Sequence, residues 1–284
     1  METPNLQLVM FDVTRVSDKL KLGADGIWRG ADASPVSYPA DGNASCFELE
    51  SSSFWFQHRN ECIIAAVKNF LPQAGDAIAD IGGGNGYVAM GLVNAGFDVV
   101  LIEPGAEGAR NAHRRGVKNV VCGTTETAEI KPASLGAIGL FDVVEHTQDD
   151  LAFLVSMRRL LRPGGSVYIT VPSYPFLWSN EDIVAGHFRR YSKASVLQVL
   201  SAAGFETAYF SYFFRPLPLA IFLRRSLPYR LGFSEKAVAQ QLAIKDHKST
   251  ALSRLAQRAM QAEVSNIKDK REMRFGASCL VVAQ

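Results

Sequence analysis

The chain has 284 residues, of which 48% are hydrophobic and 20% are charged, and its formal net charge is +2. These values are ordinary for a folded globular protein and exclude a disordered or low-complexity chain. The N-terminus lacks a basic stretch followed by an apolar one, and no run approaches 18 apolar residues, so we expect a cytoplasmic protein without a signal peptide or a membrane-spanning helix. The 4 cysteines are scattered without a C-x-x-C pair, which predicts reduced thiols and no metal site.

Apolar periodicity predicts strands that alternate with helices from Ser51 onward. The predicted helices lie within residues 51–72, 86–96, 105–116, 149–161 and 192–204. The predicted strands lie within residues 77–81, 98–103, 119–122, 135–143, 166–172, 205–213 and 277–284. Such alternation predicts an α/β fold in which a mostly parallel sheet has helices on both faces.

Two parts of the chain stand outside this pattern. Residues 1–50 contain short alternating pieces without a helical stripe, and we interpret them as an N-terminal extension, for example a substrate lid. Residues 215–275 carry 13 Lys and Arg against 5 Asp and Glu, whereas the rest of the chain carries 17 against 23. We therefore expect a core over residues 51–214, a basic helical insertion over 215–275 and a final core strand over 276–284.

A glycine-rich loop follows the first core strand, with four glycines among residues 82–86. Glycine lets the backbone turn with positive φ and lets a ligand touch the main chain, and the helix that follows presents free N–H groups. Gly84-Asn-Gly86-x-x-Ala89 fits the G-x-G-x-x-A dinucleotide fingerprint. A better interpretation of the motif includes Asp80, which precedes the loop, and the acidic Glu103, which ends the next strand. These two carboxylates suit a ligand with an ammonium group and ribose hydroxyls.

This combination resembles the class I S-adenosylmethionine-dependent methyltransferases. "FDVVEHTQDD" (141–150) and "LLRPGGSVYITVP" (160–172) are similar to motifs of the ubiquinone-type small-molecule methyltransferases, and "LWSNEDIVAGHFRRYS" (177–192) resembles a segment of many bacterial members. The resemblance covers residues 51–214 and the terminal strand. It implies a Rossmann-like, seven-stranded sheet with an antiparallel last strand, and S-adenosyl-L-methionine as the cofactor.

The resemblance also implies which residues hold the cofactor. Asp80 and the glycines would hold its methionine end, and Glu103 its ribose. The full set is Phe56, Arg59, Asp80, Gly82, Gly84, Asn85, Gly86, Glu103, Pro104, Thr125, Glu126, Phe141 and Asp142. Alternatives stay open for three of these positions: a helix cap at Thr125, a core side chain at Phe141, and a plain packing role for the aromatic helix start that carries Arg59.

Two histidines are candidates for the base that methylation of a hydroxyl requires. His146 follows the fourth strand, and His187 lies on the loop after the fifth, and an imidazole titrates near neutrality. Glu145 could pair with Arg189 or Arg190 and be purely structural. Candidate substrate contacts are Tyr174, Trp178, Arg190 and Tyr191, with packing as the alternative.

We expect methyl transfer to a small-molecule or sugar-like acceptor, most simply at oxygen, with N-methylation as the alternative. A nicotinamide-dependent oxidoreductase is a rival, but the Tyr-x-x-x-Lys pair that would favour it is missing. A non-catalytic methyltransferase-fold subunit is another. The basic insertion predicts a lid or a homodimer interface, or else contact with an anionic membrane or a lipid-linked substrate, and we expect no nucleic-acid partner.

Overall fold

The computed structural model describes residues 12–30, 47, 50–51, 53–73, 75–233 and 251–284, with side chains from residue 259 onward in the last range. Its strands are β1 (Lys21–Leu22), β2 (Trp28–Arg29), β3 (Ile78–Ile81), β4 (Val99–Glu103), β5 (Asn119–Cys122), β6 (Leu135–Phe141), β7 (Leu161–Pro172), β8 (Thr207–Phe213) and β9 (Ser278–Ala283). Most of the N-terminal extension lies outside the described residues.

The strands form one sheet in the order β1-β2-β5-β4-β3-β6-β7-β9-β8. Neighbouring strands from β2 through β5, β4, β3 and β6 to β7 are parallel. Strand β9 lies between β7 and β8 and is antiparallel to both. The predicted fold class and the antiparallel last strand are confirmed. The predicted strand count was wrong, because two short strands from the N-terminal region extend the β5 edge, so the described residues form nine strands rather than seven.

The helices are α1 (Phe54–Asn69), α2 (Tyr87–Asn94), α3 (Ala106–Arg115), α4 (Asp150–Leu160), α5 (Asn180–Val184), α6 (Lys193–Ala202), α7 (Leu217–Ile221), α8 (Leu227–Arg230) and α9 (Ala251–Lys268). Local caps fix several of their ends. The Ser53 side chain accepts a hydrogen bond from the Trp55 N–H at the start of α1, and α3 ends at Gly116, whose φ is 109°.

The sheet is buried on both faces, which explains why its strands are continuous apolar runs. Alternate residues of β4 belong to different clusters of buried side chains: Val99 and Leu101 to one, Val100 and Ile102 to the other. The first cluster includes side chains from α1, α2, α3 and α9, and the second includes side chains from α4 and α6. Helices therefore cover both faces, as the alternation of elements predicted.

In its described residues, 215–233 and 251–275, the basic insertion contains two helical pieces. Residues 217–230 continue from α7 through a π-helical turn, Phe222–Ser226, into α8. Pro228 lacks the N–H that an α-helix would direct at the Arg224 carbonyl, which is consistent with an irregular turn at this point. Helix α9 forms near the end of the insertion, and the side chains of residues 251–258 lie outside the described part of the chain.

Glu263 attaches α9 to the rest of the core. Its buried carboxylate accepts hydrogen bonds from the N–H groups of Phe214 (2.7 Å) and Arg215 (2.8 Å). His58 Nε2 lies 2.9 Å from the same carboxylate. Phe214 in turn stacks on Trp55, with ring centroids 5.3 Å apart and planes 6° from parallel. The insertion is thus connected through buried contacts to the first turn of α1.

Candidate active site

The glycine loop joins β3 to α2 at the carboxyl edge of the sheet. Gly82, Gly84 and Gly86 all have positive φ, at 70°, 53° and 75°. A Cβ on Gly86 would lie 2.7 Å from the Cβ of Ala112, so close packing against α3 requires this glycine. A Cβ on Gly84 would meet no atom of the described residues within 4 Å. The backbone at Gly84 is therefore bare toward open space rather than toward a packed neighbour.

That space is a cavity of about 510 Å³ between the strand ends, the start of α1 and the segment after α5. Twelve of the predicted site residues line it: Phe56, Arg59, Asp80, Gly82, Gly84, Asn85, Glu103, Pro104, Phe141, Asp142, His146 and His187. Residues that sequence reasoning did not assign to the site also line it: Glu50, Trp55, Gly83, Tyr87, Val88, Val143 and Ala185. Of these, Trp55 carried a signal as part of the aromatic start of α1, Gly83 as part of the glycine-rich loop, and Val143 as part of the motif over 141–150.

The remaining predicted residues lie elsewhere. Gly86 packs behind the loop, and Thr125 and Glu126 line a separate depression next to α4. The Tyr191 hydroxyl donates to Asp150 Oδ2 (2.7 Å), and Tyr174 stacks on Phe176 and Tyr212. Arg190 donates its Nε–H to Asp182 Oδ1 (2.7 Å), and Trp178 is half-buried without lining the cavity. The ligand contacts proposed for these residues stay predictions.

Two carboxylates occupy the ends of neighbouring strands in the cavity wall. Asp80 is buried, and its Oδ2 has no hydrogen-bond partner in the described part of the chain. Burial raises the pKa of Asp80 to about 7; Arg59 opposes this shift, and the nearby Glu103 adds to it. A buried polar atom without a partner is rare in native proteins and marks a position where a ligand donor is expected.

Glu103 connects the strand end to the glycine loop. Its Oε2 accepts the Gly84 N–H (2.9 Å) and its Oε1 accepts the Gly105 N–H (2.6 Å). Burial raises the pKa of Glu103, and these two hydrogen bonds oppose the shift. A carboxylate has about four acceptor positions, so two remain for hydroxyl groups of a ligand.

Arg59 and Asp142 form an ion pair in the wall of the cavity. Arg59 Nε lies 2.8 Å from Asp142 Oδ2, off the N–H axis, so the contact is an ion pair rather than an aligned hydrogen bond. Asp142 also accepts a hydrogen bond from the Thr170 hydroxyl (2.9 Å) and has a φ of 58°. A non-glycine residue with positive φ is strained, and such strain is concentrated at functional sites.

The two candidate histidines meet at the opposite wall. Their ring centroids are 4.7 Å apart, with planes at 81°. Burial, together with the neighbouring His187, lowers the pKa of His146 to about 4, so His146 is neutral at pH 7. His187 Nδ1 lies 2.9 Å from Asp182 Oδ1. Burial alone would raise the pKa of Asp182, but its hydrogen bonds with His187 and Arg190 lower it, which keeps Asp182 ionised.

Glu145 lies beneath the histidines and is fully buried. Neither of its carboxylate oxygens has a hydrogen-bond partner among the described residues, and burial raises its pKa well above the ordinary value. Arg189 pairs with Asp150 (2.9 Å) and Arg190 with Asp182, so the structural pairing considered for Glu145 is not observed. One ligand atom each from Glu145, His146 and His187 lies within 4.8 Å of the others, a set of N and O donors that a divalent cation accepts.

Comparisons with known proteins agree with this geometry. Residues 56–209 match the family described as "Methyltransferase domain". The chain is 24% identical over 177 residues to a Mycolicibacterium smegmatis protein named "Probable S-adenosylmethionine-dependent methyltransferase", covering 61% of this chain and 68% of the relative. It is 32% identical over 115 residues to the ubiquinone/menaquinone biosynthesis C-methyltransferase of Rubrivivax gelatinosus, covering 39% of this chain and 45% of the relative. The chain thus spans less than half of the second relative.

Among solved structures, phosphoethanolamine N-methyltransferase 2 of Haemonchus contortus in complex with S-adenosyl-L-methionine superposes with a TM-score of 0.54. The sequence identity is 18%, and the match covers 87% of this chain and 57% of the other, which shows a shared fold. The chain therefore belongs to the methyltransferase domain family, and the class I S-adenosylmethionine-dependent methyltransferase predicted from its motifs is confirmed.

Proposed function

We propose that this chain transfers the methyl group of S-adenosylmethionine to a hydroxyl of a small-molecule or sugar-like acceptor. The observation that carries the proposal is the unpartnered Oδ2 of Asp80, buried in the wall of a cavity that bare glycine backbone and Glu103 also line. This set fits a ligand with an ammonium group and neighbouring hydroxyls. A pyrophosphate would be repelled by the Asp80 carboxylate, which disfavours a dinucleotide.

Asp80 and the loop at Gly82 and Gly84 would hold the methionine end of the cofactor, and Glu103 the ribose hydroxyls. The bare backbone at Gly84 leaves room for this contact. Arg59 would meet the methionine carboxylate, because its guanidinium carries five N–H donors of which one faces Asp142. When bound, S-adenosylmethionine supplies an electrophilic methyl group on a positively charged sulfur. We also propose that Thr125 and Glu126 contact the adenine of the cofactor.

His187 is the group we propose to accept the proton of the acceptor hydroxyl. Asp182 would take the hydrogen bond from Nδ1–H, which leaves Nε2 as the basic nitrogen. The arrangement resembles other histidine–carboxylate pairs, in which the carboxylate fixes the tautomer and stabilises the imidazolium that forms. His146 is the alternative acceptor, since it lines the same cavity and is neutral at pH 7.

Acceptor choice would depend on the parts of the chain outside the common core. We propose residues 51–214 and 276–284 as the cofactor-binding core, with residues 1–50 and 215–275 shaping the acceptor pocket. Glu50 supports this division, because it lines the cavity and pairs with Arg115 at 2.6 Å. The predicted contacts of Tyr174, Trp178, Arg190 and Tyr191 with the acceptor belong to the same proposal.

Isothermal titration calorimetry tests the cofactor assignment. We expect micromolar binding of S-adenosylmethionine and S-adenosylhomocysteine to the wild type, binding at least about tenfold weaker to Glu103→Ala, and unchanged binding to Glu107→Ala, which alters an acid on the outside of α3. Heat from NADH or NADPH in place of the adenosyl ligands would support the oxidoreductase instead. Binding of neither group would support a non-catalytic subunit.

Turnover with two kinds of acceptor tests the acceptor chemistry. Formation of S-adenosylhomocysteine is measured with matched hydroxyl and amine acceptors, for the wild type and for His187→Gln. With a hydroxyl acceptor, loss of the base should reduce kcat by about 100-fold or more. If only amines are methylated and His187→Gln retains kcat, the reaction is N-methylation, and the role of the base is wrong.

A further inference from the structure

Exposed apolar side chains are concentrated beside the cavity. Of the 15 large apolar side chains exposed in the described part of the chain, nine lie in residues 176–188 and 219–233. The helical run contributes Leu219 and Leu223, and the residues directly after it contribute Leu231 and Phe233; these four side chains are 52–67% exposed. Leu219 and Leu223 are four residues apart, so they lie on the same side of the helical run. A soluble protein rarely leaves such a group of apolar side chains uncovered without a partner.

The charge on this helical run has one sign. Residues 215–233 contain four arginines and no Asp or Glu. Arg215, Arg224, Arg225 and Arg230 are all exposed. Arg225 pairs with Glu181 at 3.0 Å, and both of these side chains are close to half exposed. Apolar side chains interleaved with arginines on one exposed helix are typical of a surface that contacts anionic lipid headgroups.

Polar contacts join the helical run to residues 176–177, which precede the segment that lines the cavity. The Ser226 hydroxyl donates to the Leu177 carbonyl (2.8 Å), and Arg230 donates to the Phe176 carbonyl (2.9 Å). In the neighbouring segment, Ile183, Val184 and Phe188 are exposed. We call these three side chains, together with those of Leu219, Leu223, Leu231, Phe233 and the four arginines, the docking face.

The docking face is directly next to the candidate active site. Ala185 and His187 line the cavity, whereas Val184 and Phe188, their neighbours in sequence, are exposed. One short segment therefore has an inner side on the cavity and an outer side toward solvent. None of the described helices is long and apolar enough to cross a membrane. Contact through the docking face would therefore be peripheral.

We propose that the docking face binds the surface of an anionic lipid bilayer. Its apolar side chains would enter the boundary between headgroups and acyl chains, while its arginines contact lipid phosphates. The cavity then opens next to the headgroup layer. The acceptor class follows, and this part rests on the proposed function: an amphipathic molecule that the bilayer holds by an apolar chain, with its hydroxyl at headgroup depth.

Vesicle co-sedimentation at low salt tests the surface without cofactor or acceptor. The probe is a vesicle of equal parts phosphatidylcholine and phosphatidylglycerol, with pure phosphatidylcholine as the comparison. We expect the wild type to pellet with the anionic vesicles and the double variant Leu223→Ser with Arg224→Glu to partition at least about tenfold less. The matched control, Leu71→Ser with Lys68→Glu, makes the same changes at exposed positions remote in sequence from the face and should bind as the wild type does.

Three results would overturn the proposal. The first is no vesicle binding by the wild type, and the second is an equal loss of binding in the control variant. The third is a wild-type dimer that is lost only in the Leu223/Arg224 variant, which would assign the face to a second copy of the chain. Light scattering detects the dimer. Titration with S-adenosylmethionine should give equal affinity for both double variants. Failure of vesicle binding would leave the methyltransferase proposal standing, and failure of cofactor binding would leave the docking face standing.

Discussion

The buried carboxyl of Asp80 should make the stability of the protein depend on pH. Its pKa is about 7 in the folded chain and about 3.8 as an ordinary carboxyl. Between these values the folded state holds one proton more than the unfolded state, so the free energy of unfolding falls as pH rises. Above pH 7 both states are ionised at this position, and the loss is complete.

The magnitude follows from the size of the shift. A displacement of about three pKa units corresponds to about 4 kcal/mol, of which about 3 kcal/mol is lost between pH 5 and pH 8. Asp80→Asn keeps the shape but cannot titrate, so it should lose this part of the pH dependence. Urea unfolding of both proteins at several pH values measures the difference, and the comparison removes contributions from Glu103 and Glu145, which both proteins share.

Cofactor binding should report the same proton. A cationic ligand stabilises the Asp80 carboxylate, so binding near pH 6 should release about one proton from the wild type and none from Asp80→Asn. Titration calorimetry in two buffers with different ionisation enthalpies counts that proton. Identical pH profiles of stability for the two proteins, or equal proton release, would refute the role given to Asp80.

Four further substitutions, with Glu272→Ala as a control, test the packing around the site. Glu263→Ala removes the acceptor shared by two backbone N–H groups and an imidazole, and should lower the free energy of unfolding by about 3–5 kcal/mol, measured by thermal unfolding. The control, Glu272→Ala in an exposed ion pair, should lower it by less than about 1 kcal/mol. Equal losses of stability would argue against the attachment of α9 through Glu263. Gly86→Ala should lower the free energy of unfolding by about 3 kcal/mol or more because of its contact with α3. Gly84→Ala should lower it by about 1 kcal/mol and should weaken cofactor binding by about tenfold or more. The reverse order would contradict the roles given to these two glycines. Tyr191→Phe removes the hydrogen bond to Asp150, so it should lower the free energy of unfolding by about 1–2 kcal/mol and leave cofactor affinity unchanged. A weaker cofactor affinity would instead indicate that Tyr191 contacts a ligand.

Strand ends and the glycine loop could be predicted from the sequence because their rules are local. Apolar runs and helical periodicity mark the elements, and adjacent parallel strands bring their carboxyl ends to one edge of the sheet. Asp80 and Glu103 were therefore expected to share a site, and both line the same cavity. The two edge strands were not expected, because each has only two residues and carries no pattern that separates it from a loop.

Contacts between distant side chains have no such local rule. His146 and His187 were separate candidates 41 positions apart, and only the folded chain brings their rings to 4.7 Å. Asp182 beside His187 carried no signal, and Glu50 lay in a region without a readable pattern. Arg190 and Tyr191 belong to a recognisable segment, yet their side chains pair with Asp182 and Asp150 instead of lining the cavity.

The sequence by itself determined the alternation of strands and helices, the glycine loop and the acidic residues at two strand ends, because each depends on neighbours along the chain. Tertiary structure decided which histidine has a carboxylate partner, that Asp80 keeps an oxygen without one, and that the arginine-rich helix lies beside the cavity. These features depend on burial and on side-chain pairs far apart in sequence, and packing fixes both only when the sheet and its helices are assembled.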